Sequence, residues 1–456
     1  MAEHNFDLVI LGAGSGGYSA ALRAAQLGMK VALIEKDKLG GTCLHRGCIP
    51  TKALLHSAEV ADTARDAANY GVQATLSGID MTQVNKYRDS IVDKLYKGLT
   101  GLVGGKPITY VTGEGRMTGP KTITVGAETY TGKFLLLATG SLTKTLGIQI
   151  GGRVITSDQA LQMDWVPKKV AILGGGVIGV EFASIWRSFG AEVVIIEGLD
   201  RLVPNEEPVI SKALDRAYRK RGIESKLGNK FKTVTQTPTA VEVELENGDQ
   251  VSADILLVAV GRGPNATGFG FEEQGVKMDR GWVLTNDRLM TNLAGVYAVG
   301  DIVPGLQLAH RGFMQGIFVA EEIAGLKPKK VDEMGIPRVT YCEPEIASIG
   351  LTEAQAREKY GDKIATYEYN LAGNGKSNIL GTTGLIKLIR QVDGPVVGFH
   401  MIGSRAGEQI GEAQLIVNWE AYPEDVAPLV HAHPTMNEAI GEAHLALAGK
   451  PLHAHA

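Results

Sequence analysis

Asp7-Leu8-Val9-Ile10-Leu11-Gly12-Ala13-Gly14-Ser15-Gly16-Gly17 runs from an apolar stretch straight into a glycine-rich turn. The apolar stretch predicts a strand. Tyr18 to Leu27 predicts a helix, and a second strand follows that ends in Glu35. The plan recurs at Val170-Ala171-Ile172-Leu173, the turn Gly174-Gly175-Gly176-Val177-Ile178-Gly179, a helix from Val180 to Phe189 and a strand ending in Glu197. Adding 162 to Gly12, Gly14, Gly17 and Glu35 gives Gly174, Gly176, Gly179 and Glu197. In such a unit the first glycine makes the tight turn, the second lets the backbone approach a pyrophosphate, and the third lets helix and strand pack closely. The helix N-terminus offers free amides to the phosphates, and the acidic residue can accept ribose hydroxyls. A turn without a ligand would use the same glycines. The acid in both copies points instead to two dinucleotides, or one cofactor and one dinucleotide substrate.

Two more apolar runs end in glycine, Phe134 to Gly140 with Ala138-Thr139-Gly140, and Ile255 to Gly261. They read as closing parallel strands buried on both faces. Gly295 to Val299 reads as a further strand. It ends at Gly300-Asp301, where open α/β sheets place their ligands.

At 456 residues the chain has room for about three domains. Lys and Arg number 46 against 50 Asp and Glu, a net charge of −4, which argues against nucleic acid or an anionic membrane as partner. Glycine, at 58 residues, is about twice as frequent as the usual ~7%. No run of about 18 apolar residues occurs, and Met1 to Asn5 does not read as a signal peptide, so a cytoplasmic location is expected.

The chain has three cysteines, Cys43, Cys48 and Cys342, too few for a disulphide framework. The first two lie in Gly40-Gly41-Thr42-Cys43-Leu44-His45-Arg46-Gly47-Cys48-Ile49-Pro50-Thr51-Lys52. If the segment is helical, the two thiols are expected close enough to bridge with modest distortion, which Gly47 and Pro50 allow. Lys52 and a helix N-terminus both favour thiolate. A redox pair fits best. Two small buried hydrophobes are the alternative, and a zinc half-site lacks a second pair. Cys342 reads as a buried thiol in a strand.

Near the C-terminus stands His431-Ala432-His433-Pro434-Thr435-Met436-Asn437-Glu438. A histidine titrates near neutrality and can move a dithiol proton, and a carboxylate on its other nitrogen would fix the tautomer. Thr435 to Glu438 also reads as a capping box opening a helix to Ala448. His431 with His433, or His453 with His455, could instead meet a metal by chance.

Taken together, these motifs resemble the pyridine nucleotide–disulphide oxidoreductases over essentially the whole chain. Gly261-Arg262-Gly263-Pro264-Asn265 and Tyr297 to Asp301 add to the match. Within that family the chain looks most like the branch that oxidises protein-bound dihydrolipoamide. The resemblance implies an α/β fold with two Rossmann-like domains, for FAD and NAD, and an α+β C-terminal dimerisation domain. The implied boundaries are 1–145 for FAD, 146–265 for NAD, 266–336 for a return to the FAD-binding part, and 337–456 for the interface. FAD would be held by Gly12, Gly14, Gly17, Glu35, Thr139, Gly140 and Asp301, with Lys52 near the flavin and paired to Glu181. Cys43 and Cys48 would be the active disulphide, with Cys43 exchanging with substrate. NAD would lie on Gly174, Gly176, Gly179, Glu197 and Gly261.

His433 would be the base and Glu438 its orienter, facing the disulphide of the other subunit of a homodimer. The implied partner is a lipoyl-bearing acyltransferase or carrier protein of a 2-oxo acid dehydrogenase or glycine cleavage complex. Glu197, a carboxylate, repels a 2′-phosphate, so NAD is preferred over NADP; Arg201 is expected to be solvent-exposed. His45-Arg46 and Gln315 depart from the family's commoner residues, at positions that do no electron chemistry. Two alternatives stand beside this reading. One is a flavin disulphide reductase of a glutathione- or mycothiol-type small thiol. The other is a non-catalytic adaptor in a larger complex.

Overall fold

The computed structural model describes residues 2–453; His455 of the second histidine pair lies outside them. The strand Ala2–Leu11 sits at the centre of a sheet, parallel to Val31–Glu35 on one side and Glu128–Leu137 on the other. Ile108–Thr112 and Val296–Ala298 extend it in parallel beyond these two. Leu8 pairs with Val31 and with Phe134, so the apolar run is covered on both edges and both faces, and Leu8, Val9 and Ile10 are fully buried. An antiparallel pair, Gly115–Gly119 with Thr122–Val125, prolongs the sheet from the first half of Glu128–Leu137.

The second sheet repeats the plan. Lys169–Leu173 is central, flanked in parallel by Glu192–Glu197 and Ile255–Val258, with Ile223–Leu227 and Val154–Ile155 at the edges. A third, antiparallel sheet of five strands runs Arg338–Thr340, Glu345–Gly350, Val396–Gly403, Leu385–Gln391, Ile364–Asn370. The helices Ala406–Asn418 and Glu438–Leu447 pack on it.

Several boundaries differ from those read in the sequence. The helices after the glycine turns begin earlier, at Ser15–Gln26 and Val177–Phe189, because Gly14 and Gly176 are themselves the extended N-caps. The runs expected to reach Gly140, Gly261 and Val299 leave their sheets at Leu137, Val258 and Ala298. There the chain turns into the cleft, with Gly140 at φ +78° and Gly261 at φ +100°. The C-terminal helix starts at Glu438, and only half of the capping box exists. Thr435 N donates to Glu438 Oε2 at 2.7 Å, while Thr435 Oγ1 turns back to the Ala432 carbonyl.

The helices Ser15–Gln26 and Ala309–Ile323 cross almost backbone to backbone. A Cβ on Gly316 would stand 2.2 Å from the Gly16 carbonyl oxygen, so the crossing requires glycine. Gln315, beside it, is buried and accepts the Gly300 amide at 2.8 Å, which ties this helix to the Gly300-Asp301 turn. Cys342 lies in the loop between the strands Arg338–Thr340 and Glu345–Gly350 rather than in a strand. Its thiol is buried against the Pro344 carbonyl, 3.2 Å away. Among the described residues no helix is long and apolar enough to cross a membrane.

Two histidines in the third unit, His400 and His444, are fully buried, and burial holds each down to about 4 from the ordinary 6.5. The unfolded chain binds those protons from pH 6.5 downward and the folded one only near pH 4. Stability is therefore expected to fall as pH drops from 6.5 to 4, by about 3 kcal/mol per imidazole. Urea midpoints measured between pH 7.5 and 4.5 check this, and His444→Gln should lessen the slope by about half of the two-imidazole contribution.

Candidate active site

The two glycine turns are built alike. A Cβ on Gly12 would lie 2.3 Å from the Ala138 oxygen, and one on Gly174 2.5 Å from the Ala259 oxygen; both residues have positive φ. A Cβ on Gly17 would lie 1.8 Å from the Gly12 oxygen, and one on Gly179 1.9 Å from the Gly174 oxygen. The first and third glycines are thus required by the protein's own backbone. The second is not. Protein atoms come no nearer than 3.9 Å to the Cβ position of Gly14, and none lies within 4 Å of that of Gly176. The space over each helix N-terminus is left to a ligand that the backbone can approach. The acids at the second strand ends close the loops. Glu35 accepts Ala13 N at 2.7 Å and Asp37 N at 2.9 Å; Glu197 accepts Gly175 N at 2.7 Å and Leu199 N at 2.8 Å. A carboxylate has lone pairs beyond these two, so each can still take a ribose hydroxyl.

Both turns open on one cleft of about 1370 Å³. Ordinary small-molecule pockets hold roughly 300–1,000 Å³. Cys43, Cys48, Lys52, Glu181 and Asp301 line the same cleft. Asp301 sits in the turn Gly300–Ile302 and accepts Ser141 Oγ at 2.6 Å. Thr139 Oγ1 donates to the Asn265 carbonyl at 2.6 Å. Gln307 Nε2 also faces the cleft wall, buried and without a protein partner. An orphan donor, two glycine cradles that no protein side chain fills and the cleft's size all fit a flavin dinucleotide on the first turn and a nicotinamide dinucleotide on the second.

The cysteines do not share one helix. The chain breaks at Gly47 (φ −143°, ψ −110°), so Cys43 belongs to Gly41–Arg46 and Cys48 opens the 19-residue helix Cys48–Asp66. A Cβ on Gly47 would lie 3.1 Å from the Thr42 oxygen, which is why glycine permits the break. Pro50 falls in the first turn of the second helix, where an amide has no intrahelical acceptor to lose. Both thiols are free and in contact. The Cys43 S–H donates to Cys48, which drives Cys43 well above its ordinary value and Cys48 below it. Lys52 and the helix N-terminus add to the stabilisation of a Cys48 thiolate.

Lys52 Nζ stands 3.0 Å from both oxygens of Glu181, a residue of the second unit's helix that is 3% exposed. Burial alone would lower the Lys52 ammonium's pKa; the Glu181 carboxylate more than reverses it. Tyr341 completes the joint: its amide donates to Glu181 Oε1 at 3.0 Å and its ring lies 4.7 Å beneath Lys52 Nζ.

His433 and Glu438 come together, Nδ1 to Oε1 at 2.7 Å, but outside the cleft, with the imidazole largely exposed. With Nδ1–H donated to Glu438, Nε2 is left as the proton acceptor. Glu438 does double duty, since its other oxygen takes the Thr435 amide. Glu412 holds both ends of this loop, through His431 Nε2 at 2.8 Å and Asn437 Nδ2 at 2.7 Å. Each histidine therefore has its own carboxylate, and His453 pairs with Glu442 at 2.9 Å. No group of three metal-ligating side chains occurs among the described residues.

Tyr341, Glu412 and Gln307 carried no local motif and escape sequence reading. Arg262 stood in a noted motif, yet its bonds to Ser141 Oγ (2.8 Å) and O (2.8 Å), across the ribbon joining the two units, did not show. Arg201 is half-buried, with Nη2 on the Pro204 carbonyl at 2.9 Å, rather than solvent-exposed. His45 bonds the Leu39 carbonyl, while Arg46 bonds Asp37 and also borders the cleft that holds the thiols.

A thiol pair beside two dinucleotide turns defines a disulphide oxidoreductase that uses pyridine nucleotides. Comparison with known proteins agrees: residues 6–316 match the pyridine nucleotide-disulphide oxidoreductase family and residues 336–444 match its dimerisation domain, so the chain belongs to that family. It is 40% identical over 470 residues to a dihydrolipoyl dehydrogenase of Bacillus subtilis, covering 98% of this chain and 99% of that one. It is 39% identical to the mitochondrial dihydrolipoyl dehydrogenase of Pisum sativum, covering 98% and 92%. It is 38% identical to a leghemoglobin reductase of Glycine max, covering 98% and 88%. Among solved structures, the flavoprotein disulfide reductase RclA of Escherichia coli superposes with a TM-score of 0.88 at 25% identity, covering 97% and 100%. LpdA of Mycobacterium tuberculosis gives 0.90 at 23%, covering 98% and 100%, which supports the fold.

One proton shared by two thiols has a measurable consequence. In the reduced protein, iodoacetamide labelling read by mass spectrometry should show Cys48 forming thiolate at a pH below its ordinary 9 and Cys43 doing so only well above it. Lys52→Met should move the Cys48 transition to higher pH.

Proposed function

We propose that this protein is a dihydrolipoyl dehydrogenase, which oxidises protein-bound dihydrolipoyl groups and reduces NAD+ through FAD and the Cys43–Cys48 pair. The observation that carries the reading is the placement of both thiols and the Lys52–Glu181 pair in the cleft shared by the two glycine turns. The full-length relatives named dihydrolipoyl dehydrogenase set the substrate class. FAD lies on Gly12, Gly14 and Gly17, with Glu35, Thr139, Gly140, Asp301 and Lys52 as its further contacts. NAD lies on Gly174, Gly176 and Gly179, with Glu197 and Gly261. A carboxylate at 197 selects against a 2′-phosphate. When bound, FAD supplies a two-electron relay between the thiols and the nicotinamide nucleotide.

The protein's own groups handle sulfur and protons. Nε2 of the partner subunit's His433 removes a proton from one dihydrolipoyl thiol, and Glu438 stabilises the resulting imidazolium. The substrate thiolate attacks Cys43 Sγ of the oxidised pair and displaces the Cys48 thiolate, which Lys52 and the helix N-terminus stabilise. The second substrate thiol loses its proton and attacks the substrate sulfur bound to Cys43. The lipoyl disulphide leaves, Cys43 is reprotonated, and two electrons remain on the enzyme pair. The exposed His433 side chain, outside its own cleft, supports a homodimer in which each subunit completes the other's site. The units are 1–145 and 266–336 for FAD, 146–265 for NAD and 337–456 for dimerisation. The enzyme works in the cytoplasm as part of a 2-oxo acid dehydrogenase or glycine cleavage complex, delivering electrons from a lipoyl-bearing carrier.

Anaerobic titration of the yellow protein with NADH should raise a long-wavelength band that NADPH does not raise. A strong NADPH preference with turnover of glutathione-type disulphides would overturn the reading. His433→Gln should cut lipoamide turnover by about 10²–10⁴-fold while flavin reduction by NADH persists.

A further inference from the structure

The loop from Gly198 to Glu207 runs from the second glycine turn to the C-terminal unit. It leaves the strand Glu192–Glu197 and walls the second glycine turn, with Leu199, Pro204 and Asn205 on the cleft. Glu197 fixes its start by taking the Leu199 and Gly175 amides. Its middle is pinned by Leu202, which is fully buried, and by Val203 N donating to the Gly175 carbonyl at 2.8 Å. Val203 holds φ +41°, a conformation a β-branched residue keeps only where its surroundings dictate it.

The far end is anchored in the C-terminal unit. Glu206 and Glu207 are both buried. Glu207 Oε2 lies 2.8 Å from Lys387 Nζ, and Oε1 accepts the Glu353 amide at the start of the helix Glu353–Tyr360. Lys387, in the interior strand Leu385–Gln391, also reaches Glu353 Oε2 at 2.6 Å. Glu206 faces Arg338 at 3.7 Å. Buried charges are poor stabilisers but strict specifiers, because displacement leaves each of them desolvated and unpaired. This position of residues 206 and 207 bonds both oxygens of Glu207, while Glu206 Oε2 stays buried without a partner, and it sets where Pro204 and Asn205 stand at the cleft. Lys387 itself does not line the cleft.

We propose that the Glu207–Lys387 pair is a positioning tie through which the dimerisation unit fixes the loop that walls the nicotinamide nucleotide site. This rests on the reading of the second glycine turn as the NAD site. Lys387 is a positioning residue and touches neither substrate.

The test uses the flavin-loaded dimer. Lys387→Met should raise the KM for NAD+ at least about fivefold, the lower end of coupling between sites, with kcat within about twofold and the KM for lipoamide unchanged. Glu207→Gln/Lys387→Met removes both charges. It should recover thermal stability lost in the single variant while keeping the raised KM for NAD+. An unchanged KM for NAD+ in either folded variant overturns the tie, as does a parallel change in kcat and the lipoamide KM. A wild-type protein that takes no hydride from NADH would instead sink the dinucleotide reading. Hydrogen exchange on the wild type decides the matter should neither variant fold. Amides between 199 and 205 protected like the strand Glu192–Glu197 support the tie, and exchange at open-loop rates refutes it.

Discussion

The half-buried pair between Lys52 and Glu181 joins the parts of this molecule that must act together. Lys52 comes from the cysteine helix and Glu181 from the helix that follows the second glycine turn. Bringing the Glu181 carboxylate out of water is costly, and removing Lys52 would leave it stranded. The pair therefore fixes how the thiols sit relative to the second dinucleotide unit more than it adds stability. Its positive end lies close enough to Cys48 to favour thiolate there, so one interaction sets both geometry and electronics. Tyr341 brings the third unit to the same joint through its amide and its ring.

The duplication explains why a single cleft can serve two dinucleotides. Each unit contributes a helix N-terminus with a glycine cradle that no protein side chain fills, and both helices point at the same space. The extra return strand Val296–Ala298 and the helix Ala309–Ile323 belong to the first unit's side of the cleft. Gly312 and Gly316 let that helix lie against Ser15–Gln26 at backbone distance, which brings Asp301 and Gln307 to the cleft wall. Glycine's abundance in the composition thus has identifiable uses at turns, cradles and crossings.

The His433–Glu438 pair and the two thiols are separated in space within one chain. The thiols lie in the cleft, whereas His433 stands on the outside of the third unit, held by Glu438 and, through His431 and Asn437, by Glu412. The exposed imidazole does not line the cleft that holds the thiols, and it lies within the dimerisation domain matched at 336–444.

The two glycine turns, their acids, the apolar strands, the cysteine motif and the His433–Glu438 spacing were legible because each is a local pattern whose physics depends on residues a few positions apart. Strand and helix ends were less so, since the points at which the chain leaves a sheet at Gly140 and Gly261, or enters a helix at Gly14 and Gly176, are set by its path in the folded molecule. The break at Gly47 was hidden for the same reason: a helical spacing could not reveal that two helices meet there. Residues joined over long sequence separations came only from the folded chain, among them Tyr341 on Glu181, Arg262 on Ser141, and Lys387 on Glu207. Sequence alone determined which chemistry the chain carries, because thiols, imidazole and glycine turns are properties of residues and short spacings. Tertiary structure decided which of those groups share a cleft and which face outward, because burial and charge pairing are settled only when distant segments pack.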